Sequence, residues 1–205
     1  MKRDPLRPGV FTWLVATAAF LVIVAAPGAF AQADRPELPK AKQTSLGLYL
    51  TAREAYEKWQ ADPQQITVLD VRTTEEYIFV GHAPMARNVP LMSQTYTWNA
   101  DKERFEMRPN PNFVAQVMEF AGPSDVILVM CRSGGRSALG VNLLAEAGYS
   151  KVYQIVDGME GDSIEDPENV FQGKHLKNGW KNSGNPWTYE IDPRNMRFVT
   201  NETTE

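Results

Sequence analysis

The only cysteine in this 205-residue chain, Cys131, stands in the run Cys131-Arg132-Ser133-Gly134-Gly135-Arg136-Ser137. The apolar stretch 126–130 precedes it, and helix-forming residues from Ala138 to Ala145 follow it. A strand, a glycine-bearing turn and a helix N-terminus therefore meet at one sulfur. Backbone N–H groups of such a turn converge on an anion, and the positive end of the helix dipole adds to them. The chemistry suited to that setting is attack by a thiolate. The amides from Arg132 through Ser133, Gly134 and Gly135 to Ser137 offer a cradle for an anionic sulfur. Arg132 and Arg136 offer donor forks for oxyanion oxygens, unless a nearby carboxylate pairs with them instead. A lone cysteine is more often a small buried hydrophobe. A core thiol has no use for two glycines and two arginines within five residues, however. The turn also falls at the carboxyl end of a predicted strand, where open α/β sheets hold their sites.

Other polar residues fall into lesser roles. Asp70 and Arg72 close a neighbouring strand, and with Glu76 they are expected to brace the site rather than touch substrate. His82 follows a glycine in a structural turn, and a thiolate attacking sulfur needs no general base. His82, His175 and Cys131 lack ligand spacing, so neither a metal nor another cofactor is expected. Asp162, Glu165, Asp166 and Glu168 lack the glycine and spacing of a calcium loop and read as a solvated loop. Trp98, Trp180, Trp187, Tyr96 and Tyr189 are available either to line a mouth over the site or to pack on the core.

The elements that must position these groups alternate in type. Thr51 to Glu54 is a capping box, followed by apolar residues Ala52, Ala55, Tyr56 and Trp59 on one helical face. Residues 66–71 read as a buried strand, and Thr73 to Glu76 caps a second short helix. Residues 87–91 read as another short strand, and Ser93 to Asn110, without a clear period, as a long loop. Asn110-Pro111 opens a helix with Phe113, Val117 and Phe120 on its face, stopped by Gly122-Pro123. The strand at 126–130, a helix ending near Gly148 and a strand at 151–156 complete the pattern. Strands alternating with helices imply a mostly parallel sheet covered on both faces.

The N-terminus bears on where the thiol works. Lys2, Arg3 and Arg7 precede a 17-residue uncharged stretch, Val10 to Ala26, and Ala29-Phe30-Ala31 offers a small-x-small cleavage point. That is the layout of a secretory signal peptide over 1–31, and the run is short for a spanning helix. Cleavage before Gln32 predicts a periplasmic protein with no stable membrane insertion; retention as an anchor is the alternative. The lost segment holds three cations and one acid, which takes the formal charge from −4 to −6. An acidic chain without a basic run argues against nucleic acid or an anionic membrane as partner. The polar segment 32–44 reads as a flexible lead, 45–190 as one domain with an insert at about 162–178, and 191–205 as a tail.

Four segments resemble a known family. They are Leu69-Asp70-Val71-Arg72 with Glu75-Glu76-Tyr77; Gly81-His82-Ala83-Pro84-Met85-Ala86-Arg87-Asn88-Val89-Pro90; the Cys131 to Arg136 loop; and the closing Gly179-Trp180-Lys181-Asn182-Ser183-Gly184-Asn185-Pro186-Trp187. In this order they resemble a single-domain rhodanese from about Ser45 to Trp187. The resemblance implies a three-layer α/β fold with a mostly parallel central sheet. It also implies sulfur transfer through a persulfide on Cys131, from thiosulfate or a similar donor to a thiol, cyanide or a protein sulfur acceptor. A sulfur carrier or partner-binding module with little turnover is the alternative. Phosphatase or arsenate-reductase chemistry, which related folds perform with a longer loop, stands further off. Only four residues separate Cys131 from Arg136, whereas similar cysteine phosphatases carry five.

Overall fold

The computed structural model describes Met1 and residues 37–196. The expected signal segment with its cleavage point at Gln32, the start of the expected lead and the tail beyond residue 196 lie outside them. The chain divides into two units, Met1–Glu37 and Leu38–Glu205, and the fold below is that of the second.

Five strands form the central sheet: β1 (Tyr49–Leu50), β2 (Ile66–Asp70), β3 (Arg87–Asn88), β6 (Val126–Met130) and β7 (Val152–Ile155). Their order is β1-β7-β6-β2-β3, and every neighbouring pair is parallel. A parallel sheet covered on both faces must bury side chains of both parities along its central strands. In β6 and the residue after it, Ile127, Val129 and Cys131 face one core, and Leu128 and Met130 face the other. The first core is closed by Phe113 and Val117 of α3 (Phe113–Met118) and by Val141 and Leu144 of α4 (Gly135–Glu146). The second holds Ala52 and Ala55 of α1 (Ala52–Ala61), Tyr77 of α2 (Thr74–Val80) and the fully buried Trp180. This is the three-layer α/β arrangement expected. Among the described residues no helix is long and apolar enough to cross a membrane.

Both capping boxes form. Thr51 and Thr73 accept from the amides of Glu54 and Glu76, whose carboxylates return bonds to the threonine N–H groups. After α4, Gly148 at φ +93° lets its own amide and that of Tyr149 reach back to Ala145 and Leu144, the glycine stop expected there.

Two segments differ from expectation. Residues 93–110 are not a loop: β4 (Met92–Asn99) and β5 (Arg104–Pro109) pair antiparallel as a separate hairpin. Its strands bond to each other and not to the central sheet, so neither face carries the buried stripe that would mark it in sequence. The lead also takes on structure where it is described. Residues 40–42 make a 3-10 turn, and Lys42 Nζ donates to Val156 O at 3.0 Å and to Asp162 at 2.7 Å. The insert at 162–178 leaves and returns through Gly161 and Gly179, and its ends are tied by Asp162 N–H and the Asn178 side chain.

Candidate active site

The site is assembled at the carboxyl end of β6. Met130 ends the strand, Cys131 follows, and the chain turns through Gly134 at φ +106° into α4. That conformation belongs to glycine, and a Cβ at Gly134 would lie 2.2 Å from Val156 O. The turn is packed against Val156, the residue after β7, closely enough to admit nothing larger. From this position the Gly134 N–H donates to Cys131 Sγ at 3.2 Å. Ser137, buried in the first turn of α4, places its Oγ 3.6 Å from the sulfur and donates to Gly134 O at 2.9 Å. Gln154 of β7 donates to the same carbonyl at 2.8 Å, while its Oε1 is buried without a partner. Sequence reasoning passed over Gln154, which sits within a strand and carries no motif.

The loop is also bonded from behind. Cys131 O accepts from Met159 N–H at 2.8 Å, and Arg132 O accepts from Glu160 at 2.9 Å and Gly161 at 3.3 Å. The close approach requires Gly158, at φ +61°, where a Cβ would meet Cys131 O at 2.4 Å. Asp157 then joins the N-terminus of α1 to the closing segment, accepting from Ala52 N–H at 2.7 Å and Gly179 N–H at 3.0 Å. Burial pushes the Asp157 carboxyl up against these two bonds.

The residues expected to surround Cys131 separate into three groups. Gly134 and Ser137 touch the sulfur; Ser133 is half-buried and Gly135 exposed on the outer side of the turn. Arg136 faces the cavity beside the loop with its guanidinium already held, Nη1 and Nη2 donating to the two Glu76 oxygens at 2.6 Å each. Burial opposes the Arg136 charge, but Glu76 outweighs it and raises the pKa. Burial likewise pushes Glu76 up, and the Arg136 bonds more than reverse this, holding the carboxyl below its ordinary range. Arg132 is half exposed, and its acidic partner among the described residues is Glu160, at 3.7 Å.

Asp70 and Arg72 form a fully buried pair, 2.6 Å between Oδ2 and Nη2, and Arg72 also donates to Gly81 O at 2.8 Å. They fix the turn after α2, and Asp70 adds to the field that raises the Arg136 pKa. Of the three residues expected to brace the site, Glu76 makes the direct bonds to Arg136. His82 is structural: its ring stacks on Tyr77 at 3.7 Å and its Nδ1 lies 3.0 Å from Tyr77 O. Trp180 belongs to the core, whereas Trp98 stacks edge-on against Phe105 in the hairpin at 5.3 Å. Trp187 meets Tyr189 at 5.2 Å, with Lys181 Nζ over its ring. Asp162 is held by Lys42 and Asn178 rather than solvated freely. Among the described residues no group of three His, Cys, Asp or Glu side chains is placed to hold a metal.

A cavity of about 800 Å³ opens beside the loop. Arg132, Arg136, Thr73 and Glu76 form one side of it, and the β4–β5 hairpin forms the other. The hairpin contribution was invisible as function while 93–110 read as a loop. The available signal was the aromatic and β-branched run 95–98 and the run 104–107 flanking the polar turn at 99–103.

A family model for the rhodanese-like domain matches residues 51–164. The chain belongs to the rhodanese-like family. It is 43% identical over 90 residues to thiosulfate sulfurtransferase 16, chloroplastic, of Arabidopsis thaliana, covering 44% of this chain and 68% of that protein. Thiosulfate sulfurtransferase 18 of the same plant is 38% identical over 92 residues, 44% of this chain and 61% of that protein. Among solved structures, Rv0390 from M. tuberculosis superimposes with a TM-score of 0.54 at 26% identity, covering 69% of this chain and 97% of that one. The rhodanese-like domain thus carries Cys131, its loop and the hairpin within the matched span.

Proposed function

We propose that this chain is an exported sulfurtransferase that moves sulfane sulfur from thiosulfate or a similar donor to a thiophilic acceptor through a persulfide on Cys131. The observation that carries this reading is the Gly134 N–H bonded to Sγ at the junction of β6 and α4. An amide fixed on the sulfur stabilises negative charge there and needs no reorganisation during reaction. In the first half-reaction the Cys131 thiolate attacks the outer sulfur of thiosulfate. The new S–S bond forms as the bond to the sulfonate sulfur breaks, and sulfite leaves with that electron pair. In the second, cyanide or a thiolate attacks the terminal sulfur, the S–S bond breaks and the Cys131 thiolate is restored. The names of the plant relatives support thiosulfate as donor. Export rests on the N-terminal pattern and the periplasm on cleavage before Gln32.

Intact-mass analysis after thiosulfate tests the chemistry. One added sulfur on the wild type, absent in Cys131→Ser, is the expected result, together with loss of thiosulfate–cyanide transfer. Sulfur transfer surviving Cys131→Ser would sink the reading. With four residues between Cys131 and Arg136, aryl phosphate hydrolysis above the Cys131→Ser background is not expected. N-terminal sequencing from the native envelope tests export: Gln32 is expected, and Met1 in the membrane fraction would mean an anchored enzyme.

A further inference from the structure

The cavity between the Cys131 loop and the hairpin holds far more room than a thiosulfate ion fills. Its volume of about 800 Å³ lies in the upper part of the range for small organic ligands. Four cationic side chains line it, Lys102, Arg104, Arg132 and Arg136, against two carboxylates, Glu76 and Glu106. Arg136 is committed to Glu76 by its two short bonds. Arg132 is only weakly engaged by Glu160 at 3.7 Å. Lys102 and Arg104 have no ion-pair partner among the described residues, and Glu106 accepts from Asn99 Nδ2 at 3.1 Å. A chain of net charge −4 therefore lines this cavity, beside the loop that carries its thiol, with more cations than carboxylates.

The same wall is apolar between the charges. Phe105, Met92 and Met107 line it, with Phe105 braced edge-on by Trp98. Methionine side chains adapt to ligands of irregular shape. The hairpin contributes little to the core: Met92 packs against it, but among the described strands β4 and β5 pair with each other alone and their residues are mostly exposed. A segment retained outside the core, with cations and an aromatic turned toward a cavity, fits a binding element better than a packing one.

We propose that the hairpin forms a cationic subsite selecting organic thiols that bear a carboxylate, as sulfur acceptors. Lys102 and Arg104 take the carboxylate, with Arg132 completing the positive rim, and Phe105 with the two methionines takes the carbon skeleton. The proposal rests on the sulfur-transfer reading for what happens at Cys131, but charge selection is measurable without turnover.

Mercaptobenzoate and mercaptobenzamide share the thiophenol ring, the first bearing an anionic carboxylate and the second an uncharged amide in its place. Each is titrated into the full-length Cys131→Ser chain while backbone amide shifts are followed by NMR. Mercaptobenzoate is expected to give saturable shifts over residues 102–107 and at Arg132, and to bind about tenfold more tightly than the amide. Lys102→Gln with Arg104→Gln should remove that preference, and the spectrum itself reports whether the variant is folded. Raising salt on the unsubstituted hairpin should reduce the preference in the same direction. Equal affinity for the two compounds, shifts mapping elsewhere, or no saturable shift overturns the subsite. Failure of wild-type Cys131 to take up sulfur from thiosulfate, with the charge preference intact, overturns the sulfur-transfer reading instead.

Discussion

The two walls of one cavity are built on opposite principles. On the Cys131 side the backbone carbonyls of Cys131, Arg132 and Gly134 are all engaged, by Met159, Glu160, Gly161, Gln154 and Ser137. Two left-handed glycines let neighbouring backbone approach closer than any side chain allows. On the hairpin side, β4 and β5 bond to each other, and Asn110 ties the return to the body through Pro90 O and Leu91 O. An isolated two-stranded hairpin is marginal in water. On the sulfur-transfer reading, rigidity is needed on one side: a persulfide would be held at fixed distance from an amide, whereas the proposed selecting wall needs only the right charges near the mouth.

The largest effect is expected from a methyl group placed at either of the two glycines of the turn. Gly134→Ala forces a Cβ against Val156 O at 2.2 Å and keeps φ at +106°. Left-handed strain alone costs about 1–3 kcal/mol, and the backbone clash adds to it. A large fall in thermal midpoint and loss of sulfur loading are expected. Gly135→Ala meets nothing within 4 Å at the start of α4, so stability should hold or rise by about 0.4–1 kcal/mol. Equal stability of the two variants would show that the turn is not rigidly packed.

The Glu76–Arg136 bridge comes next, because it ties α2 to the loop. Glu76→Gln leaves the Arg136 guanidinium partly buried with its charge uncompensated, at a cost of roughly 1–3 kcal/mol. Arg136→Lys should not restore the wild-type behaviour, since an ammonium cannot bond both carboxylate oxygens as a planar fork does. Chemical denaturation and thiosulfate kinetics on the two variants check this. Wild-type KM and stability in Arg136→Lys would reduce the bridge to simple charge balance.

The same bridge sets an acid limb. Glu76 is held below the ordinary carboxylate range when folded, so the unfolded chain binds its proton more readily. Its stabilisation is complete above the unfolded value of about 4.3 and is lost as pH falls through that value toward the folded one. Unfolding midpoints from neutral pH to about pH 3 should therefore fall less steeply in Glu76→Gln than in the wild type. Parallel acid limbs in the two proteins would refute the assignment.

What was legible in sequence follows the same division between the walls. Cys131, the strand before it and the helix after it were readable because a buried strand is a continuous apolar run and a tight turn demands glycine. The capping boxes were readable because their bonds are local. Glu76 is expected as a brace from its place at a helix start, but its grip on Arg136 spans sixty residues and depends on how β2 and β6 lie side by side. Asp70 and Arg72 are expected in the same role; their bonds run to each other and to Gly81 O, again a matter of which way a buried side chain points. The hairpin is not legible because Met92 at its start packs against the core while most of the strand residues after it are exposed, and the signal for a strand is burial on one face.

The smallest effect is expected from Trp98→Ala, and its smallness is the point. Trp98 packs edge-on against Phe105, directly across from it in the hairpin, and it is 55% exposed. An aromatic pair of this geometry is worth about 0.5–1.5 kcal/mol, and the contact lies wholly within the hairpin. If the hairpin opens independently of the body, the loss falls on its local equilibrium rather than on global unfolding. Amide exchange over 92–109 should then accelerate by roughly three- to tenfold, while the denaturation midpoint of the whole domain moves little. Exchange in β6 and α4 should be untouched. A loss of global stability comparable to that of Gly134→Ala would mean that the hairpin is a structural layer of the domain, and that the contrast between a rigid chemical wall and a separable selecting wall is false.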